Sequence, residues 1–271
     1  MIERLTGKPV SDAIKETISS DARLAIIRIG EKPEDMSYER SAAKKLTGMG
    51  LRVTGHAFPE NISVEDFKTE FEKINDDPDV SGILIMRPMP KSLREAEKWV
   101  ETAIDPKKDV DGISPENLAG VMRGEASAFA PCTAQAVIEI LKGHGIDLAG
   151  KDVTIVGRSM VVGKPLAMLM LKENATVTVC HTKTKNLAEK CRRADIVVVA
   201  AGHAKLIGAD CVRDGQIIVD VGTNVDETGK LCGDFDLAAA EAAGLEIKAT
   251  PVPGGVGAVT TAVLAKHVSG K

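Results

Sequence analysis

The stretch Asp152–Pro165, DVTIVGRSMVVGKP, decides the fold. Its β-branched run closes on Gly157, and Gly163 then opens the apolar stretch KPLAMLMLK. A strand that ends in a glycine turn and feeds a helix is how a dinucleotide-binding α/β unit begins. Glycine allows the sharp turn. It also lets a phosphate approach the helix N-terminus, where unpaired N–H groups favour an anion. The GxGxxG fingerprint is incomplete, because Ser159 stands where its second glycine would be. A plain strand–helix turn carries the same letters, so the surrounding elements have to decide between the two.

Three more short apolar runs follow: ATVTVC (175–180), DIVVVAAG (195–202) and GQIIVDVG (215–222). Helix-period stretches separate most of them. The first half of the chain repeats the alternation. LAIIRIG (24–30), LRVTGHAF (51–58) and SGILIMRP (81–88) read as strands. Residues 37–49, VEDFKTEFEKIN (64–75) and LREAEKWVETAI (93–104) read as helices. Such alternation predicts parallel sheets covered by helices. The fold class is therefore α/β, with two α/β domains. The stretch DPKKDVDGISPENLAG (105–120) reads as a loop, and TAQAVIEILKGHG (133–145) as a helix. The expected boundaries are 1–130 and 131–257. A last helix, 258–271, follows the glycine-rich PVPGGVG, and its pattern alone assigns it to neither domain.

The 271 residues are 44% hydrophobic and 27% charged, an ordinary globular balance. The net charge of -4 gives no electrostatic case for a nucleic acid or membrane partner. No apolar run approaches the roughly 20 residues that span a bilayer, and MIERLTGKPV lacks the apolar core of a signal peptide. Five scattered cysteines without a CxxC read as free thiols in a reducing, cytoplasmic setting. The histidines and cysteines show no metal-ligand spacing, so no metal is expected.

The strand ATVTVC sharpens the cofactor reading. NAD-binding folds usually place an acid at the end of this strand for the ribose 2′-hydroxyl. Here it ends in His181-Thr182-Lys183-Thr184. A basic, hydroxyl-rich end suits a 2′-phosphate, and Arg158 can add a planar fork. NADP is preferred, with NAD open. Solvated surface charge is the alternative for Lys183 and Arg158.

VGRSMVVGKP, CHTKT, KKDVDG (107–112), GILIMRPMP and TPVPGGVGAVT occur in one order along the whole chain. Together they resemble the methylenetetrahydrofolate dehydrogenase/methenyltetrahydrofolate cyclohydrolase family. The resemblance implies two α/β domains with a cleft between them, the second of Rossmann type, and a folate site in that cleft against the first domain, to which the last helix returns. It implies NADP on the Rossmann domain and a homodimer. The expected cofactor residues are Gly157, Arg158, Ser159, Gly163, Thr182, Lys183, Gly202 and Thr223. A tetrahydrofolate derivative is expected at Tyr38, Met86, Asp111, Pro253, Gly254 and Gly255. Tyr38 would stack on the folate, and Asp111 would hold the pterin amino group; these two are the candidate catalytic residues. A loop aspartate bonding its own backbone is the alternative for Asp111.

Two positions depart from the family pattern. Its Y-x-x-x-K motif carries a lysine that drives the hydrolysis. Tyr38 is followed twelve residues on by Gly50, as in the family, so the lysine position falls on Ala42. The family's V-Q-L-P-x-P strand reads Ile85-Met86-Arg87-Pro88-Met89-Pro90, so Met86 replaces the glutamine that bonds the lysine. Smaller departures are Ala134-Gln135-Ala136 for P-x-G and Ala258-Val259 for P-M.

Bifunctional members oxidise 5,10-methylenetetrahydrofolate and then hydrolyse the methenyl product to 10-formyltetrahydrofolate. Oxidation needs alignment and exclusion of water, not a base. Hydrolysis moves protons, and a positioned acid–base contributes about 10²–10⁴-fold to such steps. The expectation is an NADP-dependent dehydrogenase with lost or weak cyclohydrolase activity. The ordinary bifunctional enzyme is the alternative. Lys45, about 60° around the helix from position 42, is a possible substitute cation there, though a solvated helix lysine is the plainer reading. A non-catalytic folate- and NADP-binding paralogue, or a substrate other than folate, are further alternatives.

Overall fold

The computed structural model describes residues 1–18 and 21–270. Its strands are β1 (Glu3–Arg4), β2 (Arg23–Ile29), β3 (Arg52–Phe58), β4 (Gly82–Ile85), β5 (Asp152–Val156), β6 (Thr176–Cys180), β7 (Ile196–Val199), β8 (Ile217–Asp220), β9 (Asn224–Val225), β10 (Leu231–Cys232) and β11 (Lys248–Ala249). Its helices are α1 (Gly7–Glu16), α2 (Pro33–Thr47), α3 (Val64–Asp76), α4 (Arg94–Ala103), α5 (Pro115–Arg123), α6 (Cys132–Gly143), α7 (Gly163–Lys172), α8 (Leu187–Arg193), α9 (Leu237–Ala242) and α10 (Val256–Val268).

Two compact α/β units result. One comprises Ile14–Cys132 and Thr261–Lys271. Its three-stranded sheet, in the order β3-β2-β4, is parallel throughout. Ala25, Ile27 and Ile29 of β2 alternate toward a core shared with Phe67 and Phe71 of α3 and Val100 of α4. That period-2 pattern is the signature of one face of a strand. Phe67 stacks on Phe71, and Trp99 meets Phe71 edge-on. So the few aromatic residues concentrate here.

The other unit comprises Met1–Ala13 and Thr133–Thr260. Its six-stranded sheet, in the order β1-β11-β8-β7-β5-β6, is parallel at every pairing. Strand β7 is buried at all four positions, as a strand covered on both faces must be.

The first thirteen residues group with the Rossmann sheet, which differs from the expected split at residue 130. The cause is β1, whose Glu3 and Arg4 lie beside Lys248 and Ala249 of β11. A second difference lies in 105–120, read as loop throughout. Its last part starts α5: the Ser114 side chain caps the Asn117 N–H, Pro115 opens the first turn and Gly124 closes the helix in the left-handed region. These are ordinary helix start and stop signals. No helix among the described residues is long and apolar enough to cross a membrane.

Candidate active site

Glycine is obligatory where β5 turns into α7. Gly157 has φ +133, and a Cβ there would lie 2.1 Å from the Ala200 carbonyl oxygen at the end of β7. A Cβ on Gly163 would lie 2.2 Å from the Gly157 oxygen. No side chain fits either place, so the backbone itself forms the cradle. The Ser159 hydroxyl accepts the Val162 N–H at 3.1 Å and holds the turn in shape.

A cavity of about 640 Å³ opens beside this turn. Gly157, Arg158, Ser159 and Thr182 line it, with His181 and Thr184 alongside. His203 and Leu206 close the side beyond β7. The cavity lies outside the carboxyl ends of parallel strands, where open α/β sheets bind ligands. Gly163, Lys183, Gly202 and Thr223 were expected here but do not line it. Gly163 acts on the turn from behind. Gly202 and Thr223 lie in the loops that follow β7 and β8. Lys183 is exposed on the His181–Thr184 turn, whose shape is set internally. Thr184 Oγ1 accepts the His181 N–H at 2.8 Å, and His181 Nδ1 accepts the Lys183 N–H at 3.1 Å.

A second constellation lies in the other unit. Tyr38 sits on α2 with 46% of its surface exposed, while Ala42, one turn on, is 3% exposed. Burial pushes the Tyr38 phenol up to about 12, and the nearby Asp111 and Cys132 add to the rise. Burial also raises the Asp111 carboxyl above the usual carboxylate range; the Arg87 charge and the Cys132 backbone N–H oppose it. The Cys132 thiol has one proton and two acceptors in reach, the Asp111 carboxylate and the Val110 carbonyl at 3.2 Å. Burial first, and Asp111 second, raise that thiol well above its ordinary value.

Tyr38, Asp111 and Cys132 are thus brought together, whereas the sequence marks Cys132 only as a free thiol. Buried His267 completes the group. Its Nδ1 lies 2.8 Å from the Val110 carbonyl and 3.7 Å from Cys132 Sγ, and its ring packs 4.9 Å from Phe129. A carbonyl only accepts, so Nδ1 carries a proton. No local pattern marks a lone histidine near the end of a helix.

Met86 is half-buried just beyond β4, with its N–H donated to the Ile27 carbonyl at 2.9 Å. Arg87 follows Met86 past the end of the strand. β4 ends at Ile85, so strand alternation no longer governs it. Its guanidinium lies 3.6 Å from Glu101, and its charge bears on Asp111. Lys45 is exposed and is not among the groups acting on Tyr38 or Asp111. Pro253, Gly254 and Gly255 lie in the Rossmann unit. There Gly7 donates its N–H to the Gly254 carbonyl at 2.8 Å, and a Cβ on Gly255 would lie 2.6 Å from the Pro251 oxygen.

The fold and the glycine cradle define a two-unit α/β protein with a Rossmann-type dinucleotide-binding sheet. The model of the tetrahydrofolate dehydrogenase/cyclohydrolase catalytic domain matches residues 5–111, and that of the family's NAD(P)-binding domain matches 131–270. The chain belongs to the tetrahydrofolate dehydrogenase/cyclohydrolase family. It is 45% identical over 274 residues to bifunctional protein FolD of Clostridium kluyveri, covering 97% of this chain and 95% of the relative. The crystal structure of bifunctional FolD from Campylobacter jejuni superimposes with a TM-score of 0.93 at 37% identity, covering 99% of this chain and 98% of that one. FolD of Trypanosoma brucei, complexed with NADP cofactor and inhibitor, gives 0.86 at 30% identity, covering 97% and 93%.

Proposed function

We propose that this protein oxidises 5,10-methylenetetrahydrofolate to the 5,10-methenyl cation with NADP. The observation that carries the reading is the grouping of Tyr38, Asp111 and Cys132 in a chain that also builds a glycine cradle no Cβ could share. That cradle fits a dinucleotide pyrophosphate, because only bare backbone can approach a phosphate so closely. NADP, when bound, supplies the hydride acceptor. The protein's part is to bind and align. The exposed Tyr38 ring offers a stacking face, and the Asp111 carboxylate offers acceptors to a pterin amino group. A methylene C–H bond breaks with its electron pair, and the positive charge left behind is shared by two nitrogens. No side-chain base is needed for that step.

The relatives' names support a second reading, in which the same protein also hydrolyses the methenyl cation to 10-formyltetrahydrofolate. They favour this bifunctional reading over a dehydrogenase alone. The buried Ala42 and half-buried Met86 are the observations on the other side, since neither can move a proton. One pair of assays tests both. Reduced cofactor should appear when methylenetetrahydrofolate and NADP are supplied; none with NADP or NAD ends the dehydrogenase reading. Loss of methenyltetrahydrofolate at neutral pH well above the buffer rate establishes the hydrolase, and loss at the buffer rate removes it. If the Lys45→Ala variant abolishes that hydrolysis, the exposed Lys45 is its proton carrier.

The 2′-phosphate preference rests on Arg158 in the cavity wall and on the exposed Lys183 beside it. Lys183→Ala is expected to weaken NADP binding about tenfold, the scale of one charge-assisted contact to phosphate, and to leave NAD binding unchanged. Equal titration curves for wild type and variant would make Lys183 a solvated surface charge. A homodimer is part of this proposal on the family resemblance alone, and light scattering measures it.

A further inference from the structure

Two carboxylates lie buried behind the cofactor-facing end of the Rossmann sheet. Asp220 closes β8 and is 4% exposed; Asp234 follows β10 and is 0% exposed. Among the described residues, neither carboxylate is in an ion pair with a cation. Burying charge without a counter-ion is costly. It is tolerated where N–H groups satisfy the oxygens, and both carboxylates are engaged in that way, Asp220 by backbone and Asp234 by backbone and the Asn224 amide.

Asp234 Oδ2 accepts the N–H of Ala201 at 2.6 Å and of Gly202 at 2.8 Å. Its Oδ1 accepts from Asn224 Nδ2 at 2.8 Å. Asp220 Oδ1 accepts the N–H of Gly222 at 2.9 Å and of Asp234 at 3.0 Å, and its Oδ2 accepts that of Phe235 at 2.9 Å. The chain around Asp234 is also laid along the loop that follows β7. Lys205 donates to the Gly233 carbonyl, Ile207 to that of Asp234, and Asp236 to that of Ile207. Space is correspondingly tight: a Cβ on Gly222 would lie 2.5 Å from Asp234, and one on Gly233 would lie 1.7 Å from Asp220.

The loops after β7 and β8 therefore hang on one short segment that lines no part of the nucleotide cavity itself. The β7 loop supplies Ala200, Ala201, His203 and Ala204 to that cavity. The β8 loop carries Thr223 between Gly222 and Asn224, both of which are held.

We propose that Asp234 is a positioning residue for the dinucleotide: its two oxygens fix the loops after β7 and β8 in their cofactor-accepting shape. The inference rests on the nucleotide reading of that cavity. The two adjacent N–H groups of Ala201 and Gly202 in the β7 loop share one acceptor, Asp234 Oδ2. Asp220 secures the segment from the other side. Burial pushes its carboxyl up to about 6, against the lowering effect of the three N–H groups it accepts.

Asn224 makes the proposal separable from a plain stability effect. Asp234→Ala leaves the Ala201 and Gly202 N–H groups and the Asn224 amide without partners. It is expected to weaken NADPH binding about 10- to 100-fold, as loss of charge-assisted hydrogen bonds does. The KM for NADP should rise while kcat at saturating NADP and the KM for the folate substrate stay within about threefold. Asn224→Asp alone sets two carboxylates face to face and should also weaken NADPH binding. The double variant, Asp234→Asn with Asn224→Asp, exchanges donor and acceptor. The amide oxygen introduced by Asp234→Asn can accept both N–H groups while its NH₂ donates to the new carboxylate. Affinity should then return to within about threefold of wild type. Rescue of that kind is a coupling between neighbours.

The experiment is NADPH fluorescence titration of the four proteins, with melting temperatures alongside. A double variant that folds but binds as weakly as either single variant overturns the proposal. So does Asp234→Ala with a lowered melting temperature and unchanged affinity. If Asp234→Ala does not fold, the Asn224→Asp and double variants decide. If wild type itself does not bind NADPH, the nucleotide reading fails first and the inference falls with it.

Discussion

Asp111→Ala is expected to weaken binding of a tetrahydrofolate derivative about 100-fold while leaving NADPH binding within about twofold. The carboxylate is desolvated, and the Cys132 backbone N–H and thiol and the Arg87 charge favour its ionised form against that burial. A buried carboxylate that accepts from a substrate amino group makes charge-assisted hydrogen bonds, each stronger than a neutral one. Asp111→Asn keeps the shape and removes the charge, and should fall between wild type and alanine. Calorimetric titration with a folate analogue and with NADPH measures both. Equal weakening toward the two ligands would make Asp111 a structural loop residue.

The pH dependence has a definite sign. Burial raises the Asp111 pKa in the folded protein, so the carboxylate is present only above that raised value. Folate affinity should therefore increase as pH rises through it and fall below it. Stability runs the other way. Over the window between the ordinary and the raised pKa, the folded state keeps a proton that the unfolded state has released. Asp111's contribution to stability accordingly falls as pH rises through that window. Opposite slopes for binding and for melting temperature are the expected signature, and parallel slopes would assign the effect to another group.

Much of this was legible in the sequence because the long strands carry dense β-branched runs bounded by turn residues. LAIIRIG and DIVVVAAG became β2 and β7 with small shifts at their ends. What stayed hidden has a common physical cause. β1 and β11 have two residues each, too few to show a period, and only their pairing across nearly the whole chain makes them strands. Proximity across sequence is likewise invisible in one chain. Asp111 and Cys132 are separated by helix α5, and His267 reaches Val110 from the far end of α10. Gly157 was legible because a glycine after a strand says something about backbone. Lys183 was legible only as a charge. Its exposure puts it outside the cavity wall, and the neighbouring Thr182 and His181 form that wall instead.

The double substitution Ala42→Lys/Met86→Gln is expected to raise methenyltetrahydrofolate hydrolysis by about 10²–10⁴-fold if the wild-type protein is a weak hydrolase, the range a positioned acid–base supplies. Ala42 lies one turn from Tyr38 and is buried. A lysine there enters a desolvated setting that lowers its pKa toward neutrality and lets it exchange protons. Glutamine at 86 gives the ammonium a fixed acceptor. Each single substitution should gain little, because a buried lysine without its partner is disordered or expelled and glutamine alone carries no proton. The added volume costs stability, since overpacking a core costs about 1–3 kcal/mol, so the melting temperature should drop as the activity rises. The dehydrogenase rate is the internal control. A new cation beside a substrate that becomes cationic opposes oxidation, so that rate should hold steady or fall. A wild-type protein that already hydrolyses briskly, together with a double variant that adds nothing, would show that the water chemistry in this protein does not depend on a lysine at this position. The acid–base group would then have to be sought among Tyr38, Asp111 and Cys132, the titratable side chains that the fold has already brought together.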